Sequence, residues 1–154
     1  MNSLEAIRNY VRLAPEFGTA GQPRREQFKP VADAGFVSVV NLAMPDHADS
    51  IDDEGRLVTE LGMNYFHLPV PFAQPTIAHL HRFFALLDAM QGEQLFVHCI
   101  MNYRVSAFMY HYLRLRRGLS EQQARSPILE RWKMEPQWRA IMRLEADDLQ
   151  LSRP

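Results

Sequence analysis

The chain has 154 residues, 47% apolar and 23% charged, with a formal net charge of −1. That balance suits one domain with a substantial core spanning the whole chain, and it gives no argument for a nucleic-acid or membrane partner. The single cysteine excludes an intrachain disulfide and fits a reducing compartment.

The N-terminal residues 1–8 lack the apolar run of a secretory signal, and no later segment approaches membrane-spanning length, so a cytoplasmic location is expected. Phe17–Ala20 reads as a short strand ended by the turn residues Gly21, Gln22 and Pro23. Arg24–Ala34 reads as a helix closed by Gly35, and Phe36–Leu42 is a continuous apolar and β-branched run, the pattern of a strand buried on both faces. A polar stretch around Met44, Pro45, Asp46 and His47 reads as a surface loop. Glu54–Leu61 predicts a helix stopped by Gly62, and Met63–Val70 a further inner strand. From Thr76 to Met90 the residues Ile77, Leu80, Phe83, Phe84 and Leu87 form a broad apolar helical face.

Gln94–His98 then predicts the strand that delivers Cys99. Beyond it, Val105, Phe108, Met109 and Tyr112 recur at helical spacing. The Arg114, Arg116 and Arg117 cluster reads as the solvated C-terminal end of that helix. Ser120 to Gln123 resembles a capping box, Pro127 predicts a kink or restart, and Pro136 opens a last amphipathic segment through Trp138, Ile141 and Met142. Trp132 and Trp138 are expected to anchor these helices in the core. Strands separated by helices predict an α/β fold, with a central parallel sheet of four to five strands flanked by helices and extra C-terminal helices.

Cys99 thus lies between a buried strand and a helix that begins near Arg104. A strand-to-helix loop turns free backbone N–H groups inward, and the helix N-terminus adds partial positive charge, so phosphate or sulfate suits the concavity. The planar fork of Arg104 matches two oxygens of such an anion. The same field favours a thiolate, which makes Cys99 a candidate nucleophile.

His98, Cys99, Arg104 and Ser106 resemble the His-Cys-x5-Arg-Ser/Thr signature of protein tyrosine and dual-specificity phosphatases. Here only four residues separate Cys99 from Arg104, while Ser106 keeps the signature's register. Either the loop is one residue short, or Arg has moved one place towards Cys and Val105 stands in its position. The Cys-x4-Arg spacing is also close to the active loop of rhodanese-type sulfurtransferases. Further likeness runs through Thr19 to Pro23, Val39 to Leu42, Asp53-Glu54-Gly55, Leu61 to Val70 and Pro75-Thr76. Over about residues 15–115 the chain resembles a bacterial family of dual-specificity-phosphatase-like domains. Relatives of that family occur fused to a metallo-β-lactamase-like hydrolase in sulfide metabolism.

The resemblance implies a cysteine-phosphatase-like fold and a phosphoester substrate, either a phosphorylated protein or a small molecule, with no cofactor. Carried over, Cys99 is the nucleophile, Arg104 the oxyanion clamp, and Ile100, Met101, Asn102, Tyr103 and Val105 line the amide cradle. His98 orients the loop, Ser106 donates to the Cys99 sulfur, and Asn102 holds the loop shape or takes a left-handed backbone. Gln22, at the C-terminal edge of the sheet, either lines the pocket or caps its turn.

The general acid of such phosphatases is an Asp after the preceding strand, and Pro71 to Gln74 offers no carboxylate there. Asp46 and His47 are the substitutes at hand. No metal site is expected, because His79 and His81 are two apart on a helix and diverge, while His67 reads as a half-buried strand residue. Three functions follow: a cysteine-dependent phosphatase, a sulfurtransferase working through a Cys99 persulfide, and an anion-binding domain that has lost turnover.

Overall fold

A computed structural model of the chain describes residues 3–150. Its centre is a five-stranded sheet in the order β1-β2-β5-β3-β4. The strands are β1 (Val11–Ala14), β2 (Phe17–Ala20), β3 (Ser38–Asn41), β4 (Asn64–His67) and β5 (Leu95–His98). All neighbours pair in parallel except β1, which lies antiparallel along β2 with a bulge between Arg12 and Ala14. β5 enters last in the chain yet sits between β2 and β3. Its C-terminal end therefore opens where the strand order reverses, the place where open α/β sheets take their ligands.

Alternation along β5 divides the chemistry between the two faces. Leu95, Val97 and, just past the strand, Cys99 join the larger core, built with α3 (Ile77–Ala89), α4 (Tyr103–Arg117) and the C-terminal helices. Phe96 turns to the smaller core, with α1 (Phe28–Asp33), α2 (Glu54–Glu60) and an N-terminal 3₁₀ turn, and the His98 ring meets Phe28 and Phe96 there. One residue of chain thus separates two environments.

The helices follow their local signals. Thr76 caps α3 by accepting from the His79 amide, while His79 Nδ1 accepts the Thr76 amide in return. Gly118, at φ 69°, ends α4 in the left-handed conformation that favours glycine. Ser120 caps α5 (Glu121–Ala124), and Pro127 precedes α6 (Ile128–Arg131). Pro136 opens α7 (Pro136–Met142), and α8 (Ala146–Leu149) follows. Trp138 is fully buried and Trp132 nearly so.

Four expectations change. The strand expected inside the sheet over Met63–Val70 is β4 at its edge, with Asn64 exposed and the other residues half-buried. β1 was not predicted. The helix expected over Arg24–Ala34 begins as a 3₁₀ turn, Arg25–Gln27, before α1, because Pro30 has no N–H and fits only the first turn of an α-helix. The arginines ending α4 are half-buried, not solvated. Arg116 pairs with Asp88 at 3.2 Å, and Arg117 stands over the Tyr112 ring at 5.2 Å. Among the described residues, no helix is long and apolar enough to cross a membrane.

Candidate active site

The loop leaving β5 is held by its carbonyls and leaves its amides free. His98 Nδ1 donates to the Cys99 carbonyl at 3.0 Å, the Gln22 amide to that of Ile100 at 2.9 Å, and Asn9 Nδ2 to that of Met101 at 2.9 Å. Among the described residues, no carbonyl or side chain accepts from the amides of residues 100–105. With α4 beginning at Tyr103, those donors gather at a helix N-terminus. Asn102 makes the bend at φ 67°, and its side chain fixes it there, Nδ2 donating to the Asn9 carbonyl and to Thr19 Oγ1. Gly21 is required beneath the loop, since a Cβ there would overlap the Ile100 carbonyl oxygen.

A cleft of about 660 Å³ opens over this loop. Cys99, Ile100, Met101, Tyr103 and Arg104 form one side of it, and Met44, Asp46, His47, Ala48 and Phe72 the other. Arg104 is 6% exposed, its Nη1 donates to the Val70 carbonyl at 2.9 Å, and its Nε is buried with no partner. The Phe72 ring lies 5.5 Å from the guanidinium carbon. Phe72 is in turn held by Trp138, whose Nε1 donates to the Phe72 carbonyl at 2.8 Å, while Tyr103 stacks on Trp132 at 4.8 Å. The C-terminal helices therefore support an aromatic wall. Cys99 itself has no surface open to water in this state, so its sulfur lies just under the floor.

Below the loop, on the α1 and α2 side, is a buried polar cluster. His98 Nε2 lies 2.7 Å from Glu54 Oε2, and Gln22 Nε2 donates to Glu54 Oε1 at 2.7 Å. The Tyr65 hydroxyl lies beside Glu54 and accepts from Asn41 Nδ2 at 3.0 Å. Burial works against ionisation of Glu54, but the charge and hydrogen bond of His98, with the donors of Gln22 and Tyr65, outweigh it and hold the carboxyl below its ordinary range. Burial, reinforced by the Glu54 charge, raises the Tyr65 hydroxyl.

Solved structures share this architecture. The DUF442 protein of Shewanella putrefaciens CN-32 superposes with a TM-score of 0.82 at 33% identity, over 91% of this chain and 92% of its own. The chain belongs to the DUF442 family. The fold extends further: TpbA of P. aeruginosa, crystallised with phosphotyrosine, matches at TM-score 0.70 and 17% identity, over 92% of this chain and 88% of its own. Tk-PTP matches at 0.67 and 18%, over 92% and 97%. No protein-family model and no curated protein matches the chain.

In this DUF442 chain the residues singled out from the sequence separate into two groups. Cys99, Ile100, Met101, Tyr103 and Arg104 meet at the cleft, together with Asp46 and His47. Gln22, His98, Asn102, Val105 and Ser106 do not reach it. Gln22 turns under the loop to Glu54, and Val105 is packed in the larger core. Ser106 is a correction to the expected sulfur contact: its hydroxyl donates to Asn102 Oδ1 at 3.2 Å, one turn back on its own helix. Phe72 and Glu54 are the residues that sequence reasoning missed. Among the described residues, no cluster of His, Cys, Asp or Glu could hold a metal.

Proposed function

We propose that the protein is a cysteine-dependent phosphatase that takes phosphate monoesters with good, aromatic leaving groups. The observation that carries this is the buried, unpartnered Nε of Arg104 beside the unpartnered amides of residues 100–105. A buried donor without an acceptor costs about 1–3 kcal/mol, and one that sits at a cleft beside unpartnered loop amides suits a tetrahedral oxyanion. In the reaction the Cys99 thiolate attacks phosphorus, the S–P bond forms as the P–O bond breaks, and Arg104 and the amides hold the non-bridging oxygens. Water then cleaves the S–P bond, releasing phosphate and restoring the thiolate. Access to the sulfur needs a small shift at the rim, where Met44 and Met101 supply flexible side chains.

The leaving-group preference follows from the acid. His47 Nδ1 accepts the Asp49 amide at 3.0 Å, which ties that nitrogen to its own loop and keeps it from serving a leaving group. Asp46 lines the cleft with no hydrogen bond to aim it among the described residues. General acid catalysis is worth roughly 10²–10⁴-fold, so without it only esters of stable leaving groups turn over quickly. Phe72 and the stacked Tyr103 form a flat apolar wall suited to an aryl group, and TpbA binds phosphotyrosine in the same fold.

A series of aryl phosphates tests this. Turnover is expected to fall steeply as the phenol becomes more basic, and Cys99→Ser to remove it entirely. Activity retained by Cys99→Ser, or a flat dependence on the phenol, would overturn the reading. The absence of a carboxylate over residues 71–74 also favours sulfur transfer, in which the Cys99 thiolate takes the outer sulfur of thiosulfate, releases sulfite and passes the sulfur to cyanide. Thiocyanate formed without any phosphatase activity would select that reaction.

A further inference from the structure

The Asp53-Glu54-Gly55 motif lies outside the cleft, and the reaction above does not use it. We propose that Glu54 is a positioning residue that fixes His98 as a doubly protonated ring with its positive pole directed at the Cys99 loop. This rests on the phosphatase reading only for its kinetic test.

The argument is one of donors and acceptors. A backbone carbonyl only accepts, so the 3.0 Å contact to the Cys99 oxygen places a proton on His98 Nδ1. On the other side, Glu54 is 2% exposed, accepts from Gln22 Nε2 at 2.7 Å, lies 2.7 Å from His98 Nε2 and has the Tyr65 hydroxyl beside it. A carboxylate ringed by donors only accepts, which places the second proton on His98 Nε2. The pair is then neutral overall but polar, with its positive end one residue from the nucleophile and its negative end at the far side of the ring. In a dry interior that orientation favours negative charge arriving above the loop. Asp53, next to Glu54, is paired at the surface with Arg25 at 2.5 Å, and Arg8, which reaches the Ile100 carbonyl at 3.5 Å, is paired with Asp49 at 3.1 Å. The geometry also fixes direction: Nδ1 holds the Cys99 carbonyl outward, which leaves the amides that follow turned towards the cleft.

The test uses Glu54→Gln, which keeps the shape and loses the charge. With an aryl phosphate, kcat is expected to fall by about tenfold or more while KM stays within about twofold, the split expected when stabilisation is lost only in the transition state. His98→Gln should cost a similar factor, and the double variant no more than the worse single one, because both remove one unit. In ¹⁵N NMR at pH 7, His98 should show two protonated ring nitrogens in the parent and one in Glu54→Gln. Tyr65→Phe, which keeps the pair and removes the hydroxyl beside Glu54, is expected to lower kcat by only about two- to threefold. It serves as the variant of record if Glu54→Gln does not fold. Unchanged kcat in the folded variant, additive losses, or a singly protonated ring in the parent would overturn the inference. The NMR result stands whether or not aryl phosphates are turned over, so failure of the phosphatase reading remains separate.

Discussion

The two ends of α4 carry arginines in opposite circumstances. At the N-terminal end, Arg104 is 6% exposed and its Nε lacks a partner, and the amides around it are free. At the C-terminal end the arginines are occupied. Arg116 pairs with Asp88, Arg117 with Glu16 at 3.6 Å, and Arg114 donates to His111 Nδ1 at 3.0 Å. Arg114 too leaves its Nε unpaired, but it lies flat on Tyr110 at 4.5 Å from the ring centre, against a wall of protein. The difference teaches that unsatisfied donors locate a site only where they converge on a cavity. At the C-terminal end the cations complement the helix dipole and pack on rings, which is a structural role.

The sharpest way to break this comparison is at the N-terminal end. Arg104→Lys keeps the charge but removes the fork, and a point charge cannot hold the Val70 carbonyl and two anion oxygens together. The expected loss in kcat/KM on an aryl phosphate is roughly 10²–10³-fold, in the range for removing one preorganised oxyanion donor. A fall of less than about threefold would mean that Arg104 acts by charge alone and that the free Nε has no ligand role.

The same contrast explains what the sequence revealed. Period and punctuation marked β2, β3, β4, α3, β5 and α4, because each lies in an apolar run or stripe between turn residues. β1 escaped because Val11–Ala14, with Arg12 inside it, offers no run of the length that marked Met63–Val70. Cys99 and Arg104 were legible because five residues of chain bring them together. Glu54 was not: an acidic residue at a helix start reads as a dipole partner in water, and its contact to His98 spans 44 positions. Alternation along β5 was the signal available, since it sends His98 to the opposite face from Cys99. Ser106 was misplaced for the opposite reason, because Asn102, four residues back, offers a nearer acceptor than the sulfur.

Midway along α4, His111 offers a test of the region between the two ends. Its Nε2 donates to the Ile141 carbonyl at 2.8 Å, and burial pulls its pKa down to about 4. In the unfolded chain the ring titrates near its ordinary 6.5, so between about pH 6.5 and 4 the unfolded state binds a proton that the folded state does not. Stability is therefore full above that window and lost as pH falls through it, by roughly 3 kcal/mol from this group alone. Urea midpoints at pH 7 and pH 4.5 should draw apart in the parent and lie closer together in His111→Gln. Equal acid losses in the two proteins would show that His111 is not the group responsible.

The smallest effect is expected at the C-terminal end, and there its absence from catalysis is the informative part. The Arg117 guanidinium lies 5.2 Å from the Tyr112 ring centre and 5.6 Å from that of Phe17, with Glu16 at 3.6 Å and about a quarter of the side chain open to solvent. Partly exposed ion pairs contribute little, so the ring contacts and the buried aliphatic stem supply most of its effect. Arg117→Ala is expected to cost about 1 kcal/mol, seen as a fall in melting temperature of about 2–4 °C for a chain this size. Glu16→Gln should cost only a few tenths of that, because it leaves the stacking intact. In both variants kcat and KM on an aryl phosphate should match the parent. If Arg117→Ala lowered kcat as Arg104→Lys is expected to, the two ends of the helix would be one electrostatic unit, and the division between an anion-binding end and a packing end would fail.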